Sequence, residues 1–158
     1  MTQGATLPDD HPCRNCDVRA EALCYVLDTE TLAEFRNQGA SLHLAAGQSL
    51  FHQGDPADCV FSLTSGVLKL YAILPDGRRQ IVDFLFPGDF LGLDARQNHG
   101  FSAEAVSDAV LCRFSSRRFE RFVDQHPELA NARYRRAADE LAFAQEKMVM
   151  LVRKTATE

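Results

Sequence analysis

Several features that assign a chain to a functional class are missing from this sequence of 158 residues. No apolar stretch approaches the roughly 18–20 residues that a membrane-spanning helix needs. The first residues, MTQGATLPDDHP, have neither the basic start nor the apolar stretch of a secretory signal. We therefore expect a cytoplasmic protein without membrane contact.

An excess of positive charge is also missing, because the net charge is −5 at pH 7. A domain that neutralises many nucleic-acid phosphates is usually basic, so this chain alone is a poor candidate for tight DNA binding. We find no Ser/His/Asp or paired-carboxylate arrangement that can be placed together, and no phosphate-binding loop. These absences predict that the protein is not an enzyme.

The composition is that of an ordinary globular protein, with 46% hydrophobic and 25% charged residues. Residues 40–114 contain short apolar runs separated by glycine turns, mostly 7–12 residues apart, which is the spacing of a β-sandwich or roll. Pro75-Asp76-Gly77 supplies the turn of one hairpin in this region.

Helical periodicity flanks the β-rich region on both sides. Residues 28–38 predict a short helix, and residues 115–127 predict another that ends at a proline. Residues 128–156 have the longest helical pattern in the chain, without an internal glycine or proline. The residues thus predict a short helix, a β-roll, a second short helix and a long helix, in that order.

Five cysteines are present, and three of them (Cys13, Cys16 and Cys24) lie within twelve residues. An odd count, this clustering and the missing export signal favour metal binding or redox chemistry over a disulfide framework. Thiolates suit both iron–sulfur clusters and zinc, and the spacing alone leaves both open beside ordinary thiols. We interpret Cys59 as a core residue, whereas Cys112 on a predicted strand could add a fourth ligand.

Three segments together resemble a known family. CRNCDVRAEALC, from Cys13 to Cys24, has the spacing C-x2-C-x7-C, with a distant cysteine in AVLCRF. DGRRQIVDFLFPGDFLG begins at Asp76, and LVRKTATE ends the chain. In this order they resemble the sensory half of CRP/FNR-type transcription regulators, in the oxygen-responsive FNR branch.

This resemblance implies an α+β fold: a cyclic-nucleotide-binding-type β-roll (jelly roll) with a short N-terminal helix and a long C-terminal dimerisation helix. It implies a flexible arm with the cysteines (1–27), a sensor domain (28–114) and a dimerisation segment (115–158). The helix-turn-helix that reads DNA in the family is absent. We therefore expect an isolated sensor and dimerisation domain, with DNA bound only through a domain that is missing here.

The resemblance also implies an oxygen-labile [4Fe–4S] cluster that controls dimerisation and DNA binding. Its implied ligands are Cys13, Cys16, Cys24 and Cys112. Zinc in the same site, giving a stabilised interaction module, is an alternative.

The long helix carries an apolar seam at spacings of three and four residues. Such a seam is either core or the interface of a homodimer, and its regularity on a terminal helix favours the homodimer. Its members are Tyr134, Ala137, Leu141, Ala144, Met148 and Leu151.

The hairpin tip Asp76, Gly77, Arg78 and Arg79 resembles surface loops that touch RNA polymerase in the family. A solvated turn is the alternative interpretation of these four residues.

The roll itself could hold a small effector, either cyclic-nucleotide-like or haem. Cyclic-nucleotide binders have an R-[ST]-A triplet whose arginine holds the phosphate, but Phe101 takes the arginine's place here, with Arg96 nearby. We expect the cassette to persist as a scaffold. No spacing singles out a haem ligand among the histidines, which are His11, His43, His52, His99 and His126.

Overall fold

The computed structural model describes residues 13–18, 20–93 and 97–156. The first twelve residues of the expected arm, with His11, lie outside the described residues, as does Arg96. A 3-10 turn (Leu23–Val26) comes first in these ranges. It is followed by α1 (Thr29–Asn37), β1 (Gly39–Leu44), β2 (Ser49–Phe51), β3 (Cys59–Ser65), β4 (Leu68–Ile73), β5 (Arg79–Leu85), β6 (Phe90–Leu91), β7 (Ser102–Ala105), β8 (Ala109–Ser115), α2 (Ser116–Gln125) and α3 (Pro127–Thr155).

The strands form two four-stranded antiparallel sheets, with orders β1-β8-β3-β6 and β2-β7-β4-β5. Strand β8 is covered on both faces, because Ala109 and Leu111 belong to one buried cluster and Phe114, on the opposite face, belongs to the other. This arrangement confirms the predicted α+β roll with a long terminal helix. The predicted turn joins β4 to β5, and Gly77 adopts a φ of 82° there.

Strand β8 lies inside its sheet, between β1 and β3. Cys112 is therefore hydrogen-bonded into a ladder on both sides, opposite Ser41 of β1 and Ser62 of β3. A central strand fixes its side chains more firmly than an edge strand or a loop does.

The core has two parts, one inside the roll and one where the helices meet it. In the second part Phe35 of α1 stacks on Phe114 of β8, with ring centroids 4.5 Å apart. Leu23 and Leu27 are buried in the same cluster. The flexible arm expected from the sequence extends to residue 27, and these two leucines pack its end against the fold.

Helix α3 changes character along its length. Leu129 and Ala132, in its first turns, are buried, whereas most of the remaining helix is exposed. Within the described ranges, no helix has the length and apolar content that crossing a bilayer requires.

Candidate metal centre

A cleft of about 290 Å³ lies between the N-terminal segment and the sheet that contains β8. Three of the predicted ligand cysteines line it, namely Cys13, Cys16 and Cys112. Arg36 of α1 and Ser41 of β1 belong to its wall as well. We call this space the thiol cleft.

Cys24 joins the same group from the 3-10 turn. Burial raises the pKa of its thiol to about 12, and the nearby Cys13, Cys16 and Cys112 thiols contribute to the rise. Cys24 also packs against the same core cluster as Cys13 and Cys112. The fold therefore brings together the four cysteines that the sequence analysis named.

Cys112 and Cys59 have different surroundings. Burial raises the pKa of Cys112, while the Arg36 guanidinium acts in the opposite direction. Burial also raises the pKa of Cys59, but its charged neighbours are Asp58 and Arg113. Cys59 packs against the core inside the roll, whereas Cys13, Cys24 and Cys112 pack against the helix-side core.

The sulfurs do not converge on one point. In the part of the chain that the structure describes, no three cysteine, histidine or acidic side chains are placed to hold a single metal ion. Each iron of a [4Fe–4S] cluster takes its own cysteine, so a cluster does not require such convergence. A donor set of thiols alone fits the chemistry of an iron–sulfur cluster.

The cysteine segment is tied directly to α3. Arg136 of α3 donates from Nη1 to the backbone oxygen of Glu21 (3.1 Å) and from Nη2 to Oδ1 of Asp89 (2.9 Å). Glu21 lies three residues before Cys24, and Asp89 directly precedes β6. One side chain thus joins the cysteine segment, the roll and the long helix. Sequence reasoning missed this contact because nothing local marks Arg136 among its neighbouring arginines.

The predicted seam residues of α3 do not all face the same surroundings. Ala144 and Leu151 line a cleft of about 700 Å³ between α3 and β5 of the same chain. Lys147 bridges this cleft by an ion pair with Asp83 (3.0 Å). The other large seam side chains do not line this cleft. Tyr134 is 75% exposed, Leu141 61% and Met148 58%. Ala137 is exposed too.

The hairpin tip is exposed and internally paired. Oδ2 of Asp76 accepts a hydrogen bond from Nε of Arg78 (2.7 Å). Arg79 is directed towards the sheet, since its guanidinium lies 4.8 Å from the centroid of the Tyr71 ring and 3.5 Å from a Glu104 oxygen.

The roll contains an aromatic pocket of about 190 Å³, lined in part by Phe51, His99 and Phe101. His99 and Phe51 stack with ring centroids 3.5 Å apart. Ser102, the second residue of the altered triplet, is fully buried and accepts a hydrogen bond from the backbone N–H of Gln53 (2.9 Å). The triplet is thus part of the scaffold.

The other described histidines lie at separate places. They are His43 on β1, His52 beside Asp55 before β3, and His126 between α2 and α3.

Two antiparallel sheets closed by a long terminal helix define a β-roll domain of the cyclic-nucleotide-binding type. Comparison with known proteins agrees, since the sequence pattern of the cyclic nucleotide-binding domain family matches residues 41–126. The chain is 39% identical over 151 residues to the nitrogen fixation regulation protein FixK of Bradyrhizobium diazoefficiens, covering 96% of this chain and 64% of that protein. It is 35% identical over 148 residues to the transcriptional activator protein FnrL of Cereibacter sphaeroides, covering 94% and 60%.

Among solved structures, the N-terminal domain of a transcriptional regulator from Streptomyces coelicolor A3(2) superposes with a TM-score of 0.65 at 29% identity. This match covers 84% of our chain and 95% of that one. The chain belongs to the cyclic nucleotide-binding domain family, and its homologues FixK and FnrL are transcription regulators of the CRP/FNR family. It spans 60–64% of the length of the FixK and FnrL relatives.

Proposed function

We propose that this chain is the sensory part of an FNR-type regulator, in which Cys13, Cys16, Cys24 and Cys112 hold an oxygen-labile [4Fe–4S] cluster. The observation that carries the proposal is that Cys13, Cys16 and Cys112 line one cleft, while Cys24 packs with Cys13 and Cys112 against one core cluster. When bound, such a cluster supplies redox chemistry that responds to oxygen.

The four ligands have two different kinds of support. Cys112 is fixed on the central strand β8, whereas Cys13 and Cys16 precede the turn that contains Cys24 and that Leu23 anchors in the core. Ligation of the cluster would hold the N-terminal segment against the sheet, and loss of the cluster would release this segment. This is an order–disorder switch of a short segment, driven by metal binding.

The chain has a direct route from that segment to α3. Arg136 donates a hydrogen bond to the backbone oxygen of Glu21, and Leu23 packs in the same core cluster as Leu129 of α3. A change in the position of the cysteine segment would therefore alter the hydrogen bond and the core packing that hold the first part of α3. The exposed apolar side chains of α3 support homodimerisation as the output, and DNA binding would follow through a further domain.

The exposed tip of the β4–β5 hairpin is the part of the roll that we assign to RNA polymerase. Asp76 and Arg78 present a paired surface there. Polymerase is not part of this chain, so the assignment is tested by measuring polymerase binding to a longer protein that contains it.

The deciding experiment is anaerobic reconstitution with ferrous iron and sulfide, followed by an absorbance spectrum and a count of iron and sulfide. We expect a brown protein with about four irons per chain that bleaches in air. Cys112→Ser should lose the cluster and Cys59→Ser, the matched control, should keep it.

A protein that stays colourless, or retains one zinc and ignores air, would refute the proposal and direct attention to the aromatic pocket. Equal iron contents in Cys112→Ser and the wild type would refute the ligand assignment.

A further inference from the structure

Arg36 is a buried cation that forms no ion pair with any acidic side chain in the described part of the chain. It belongs to the last turn of α1, and only 9% of its surface is exposed. Its Nη2 donates to Oγ of Ser41 (2.6 Å), but its buried Nε has no hydrogen-bond partner among the described residues. A guanidinium keeps its charge in proteins, and an unpaired buried charge is costly.

Two nearby features offset this charge only in part. The carboxyl end of α1 is the negative end of the helix dipole, which favours a cation in the last turn. Asp17 lines the same thiol cleft, yet it is exposed and no ion pair joins it to Arg36 within the described ranges. Among residues 13–18, 20–93 and 97–156, no acidic side chain pairs with the positive charge in this cleft.

The sulfur atoms are the groups in this cleft that become negative when metal binds. Arg36 lines it together with Cys13, Cys16 and Cys112. Ser41, to which Arg36 donates a hydrogen bond, lies directly opposite Cys112 in the pairing of β1 with β8. Metal binding requires deprotonated cysteines, so it brings negative charge beside Arg36. The negative charge of the bound thiolates then explains why a buried arginine is present at this position.

We propose that Arg36 is a positioning residue whose guanidinium, through its unused Nε–H, is the built-in counter-charge of the thiolate-bound centre at Cys112. The inference rests on the function proposed above. Groups that hydrogen-bond to the ligands set both the retention and the reduction potential of a metal centre. Arg36 also links the centre to the junction of α1 and β1 through Ser41.

The test compares reconstituted wild type with Arg36→Gln, which removes the charge, and Arg36→Lys, which keeps it. Arg113→Met is the matched control, because Arg113 is an exposed cation next to Cys112 in sequence, and alternation places it on the other face of β8. The readouts are the rate of iron release to a chelator and the reduction potential, both measured anaerobically. Thermal unfolding of the metal-free proteins is measured beside them.

In Arg36→Gln we expect iron loss about 10- to 100-fold faster than in wild type, as for other groups that hydrogen-bond to metal ligands. The potential should become more negative, because removing a positive charge disfavours the added electron. Arg36→Lys should restore most of both values, and Arg113→Met should change neither. Metal-free Arg36→Gln should unfold at the wild-type temperature or above, since it lacks the unpaired charge.

Wild-type values of both readouts in Arg36→Gln would overturn the inference while the proposed function stands. Loss of stability in metal-free Arg36→Gln would also overturn it, because Arg36 would then be a structural residue. A wild type that assembles no cluster would instead refute the proposed function itself.

Discussion

The contact of Arg136 with two other parts of the molecule predicts how the cysteine segment and α3 are coupled. Its guanidinium donates to Glu21 O and to Asp89 Oδ1, and its side chain is 22% exposed. A hydrogen bond to a charged group contributes about 1.5–3 kcal/mol when dry, and partial exposure reduces this value. Arg136→Met keeps the aliphatic length, so we expect it to lower the free energy of unfolding by about 2 kcal/mol.

Urea unfolding of the metal-free protein measures this loss. A double-mutant cycle with Asp89→Asn should give a coupling energy of about 1 kcal/mol, because the two groups form one ion pair at 2.9 Å. The control is Arg135→Met, an exposed neighbour on α3 that should leave stability within about 0.5 kcal/mol of wild type.

The same variant tests the proposed signal route. Arg136→Met should assemble a cluster as the wild type does, because it removes no ligand. Exposure to air should then change self-association less than in wild type. A coupling energy near zero, or an unchanged response to air, would refute the reasoning that this arginine joins the segment to the helix.

Two further predictions concern the thiols and the helix. Because burial raises the pKa of Cys24 to about 12, the unfolded chain ionises first above pH 9, and metal-free stability should fall by up to about 1.4 kcal/mol per pH unit there. Urea unfolding at rising pH should show this slope in wild type and a shallower one in Cys24→Ser; equal slopes would contradict it. Leu141→Glu should weaken self-association at least about tenfold in sedimentation experiments, since a buried unpaired charge is costly. Leu141 is 61% exposed in the single chain, so an accompanying loss of monomer stability would argue against an interface role.

Much of the fold could be predicted because its signals are local. Glycine turns, the change from short apolar runs to helical spacing, and Pro127 at the start of α3 each specify structure within a few residues. Strand β1 was not assigned individually, since GASLHL is small and polar and only its last residue is buried. Strand β6 was hidden inside the segment Gly88–Gly92 because its two residues, Phe90 and Leu91, are too few to show a period of two.

Of the candidate site, the sequence predicts the cysteine ligands but not the arginines around them. Three cysteines at short spacing are visible in any sequence, and the family resemblance added Cys112. Arg36 and Arg136 were missed because an arginine on a helix usually faces solvent. Arg36 contacts Ser41 across the turn into β1, and Arg136 contacts Glu21, which is far away in the sequence. Hydrophobic periodicity gives no information about either contact.

The position of Cys112 on a central strand has a consequence for the order of assembly. Joining Cys24 and Cys112, which are far apart in the sequence, would cost a disordered chain considerable loop-closure entropy. The folded roll has already met that cost before any metal arrives, because Leu23 and Phe114 belong to one core cluster. Only the short stretch from Cys13 to Cys24 remains to be closed. Metal affinity and folding of the roll should therefore rise and fall together, and a nascent chain should complete its sheets before it can retain a metal centre.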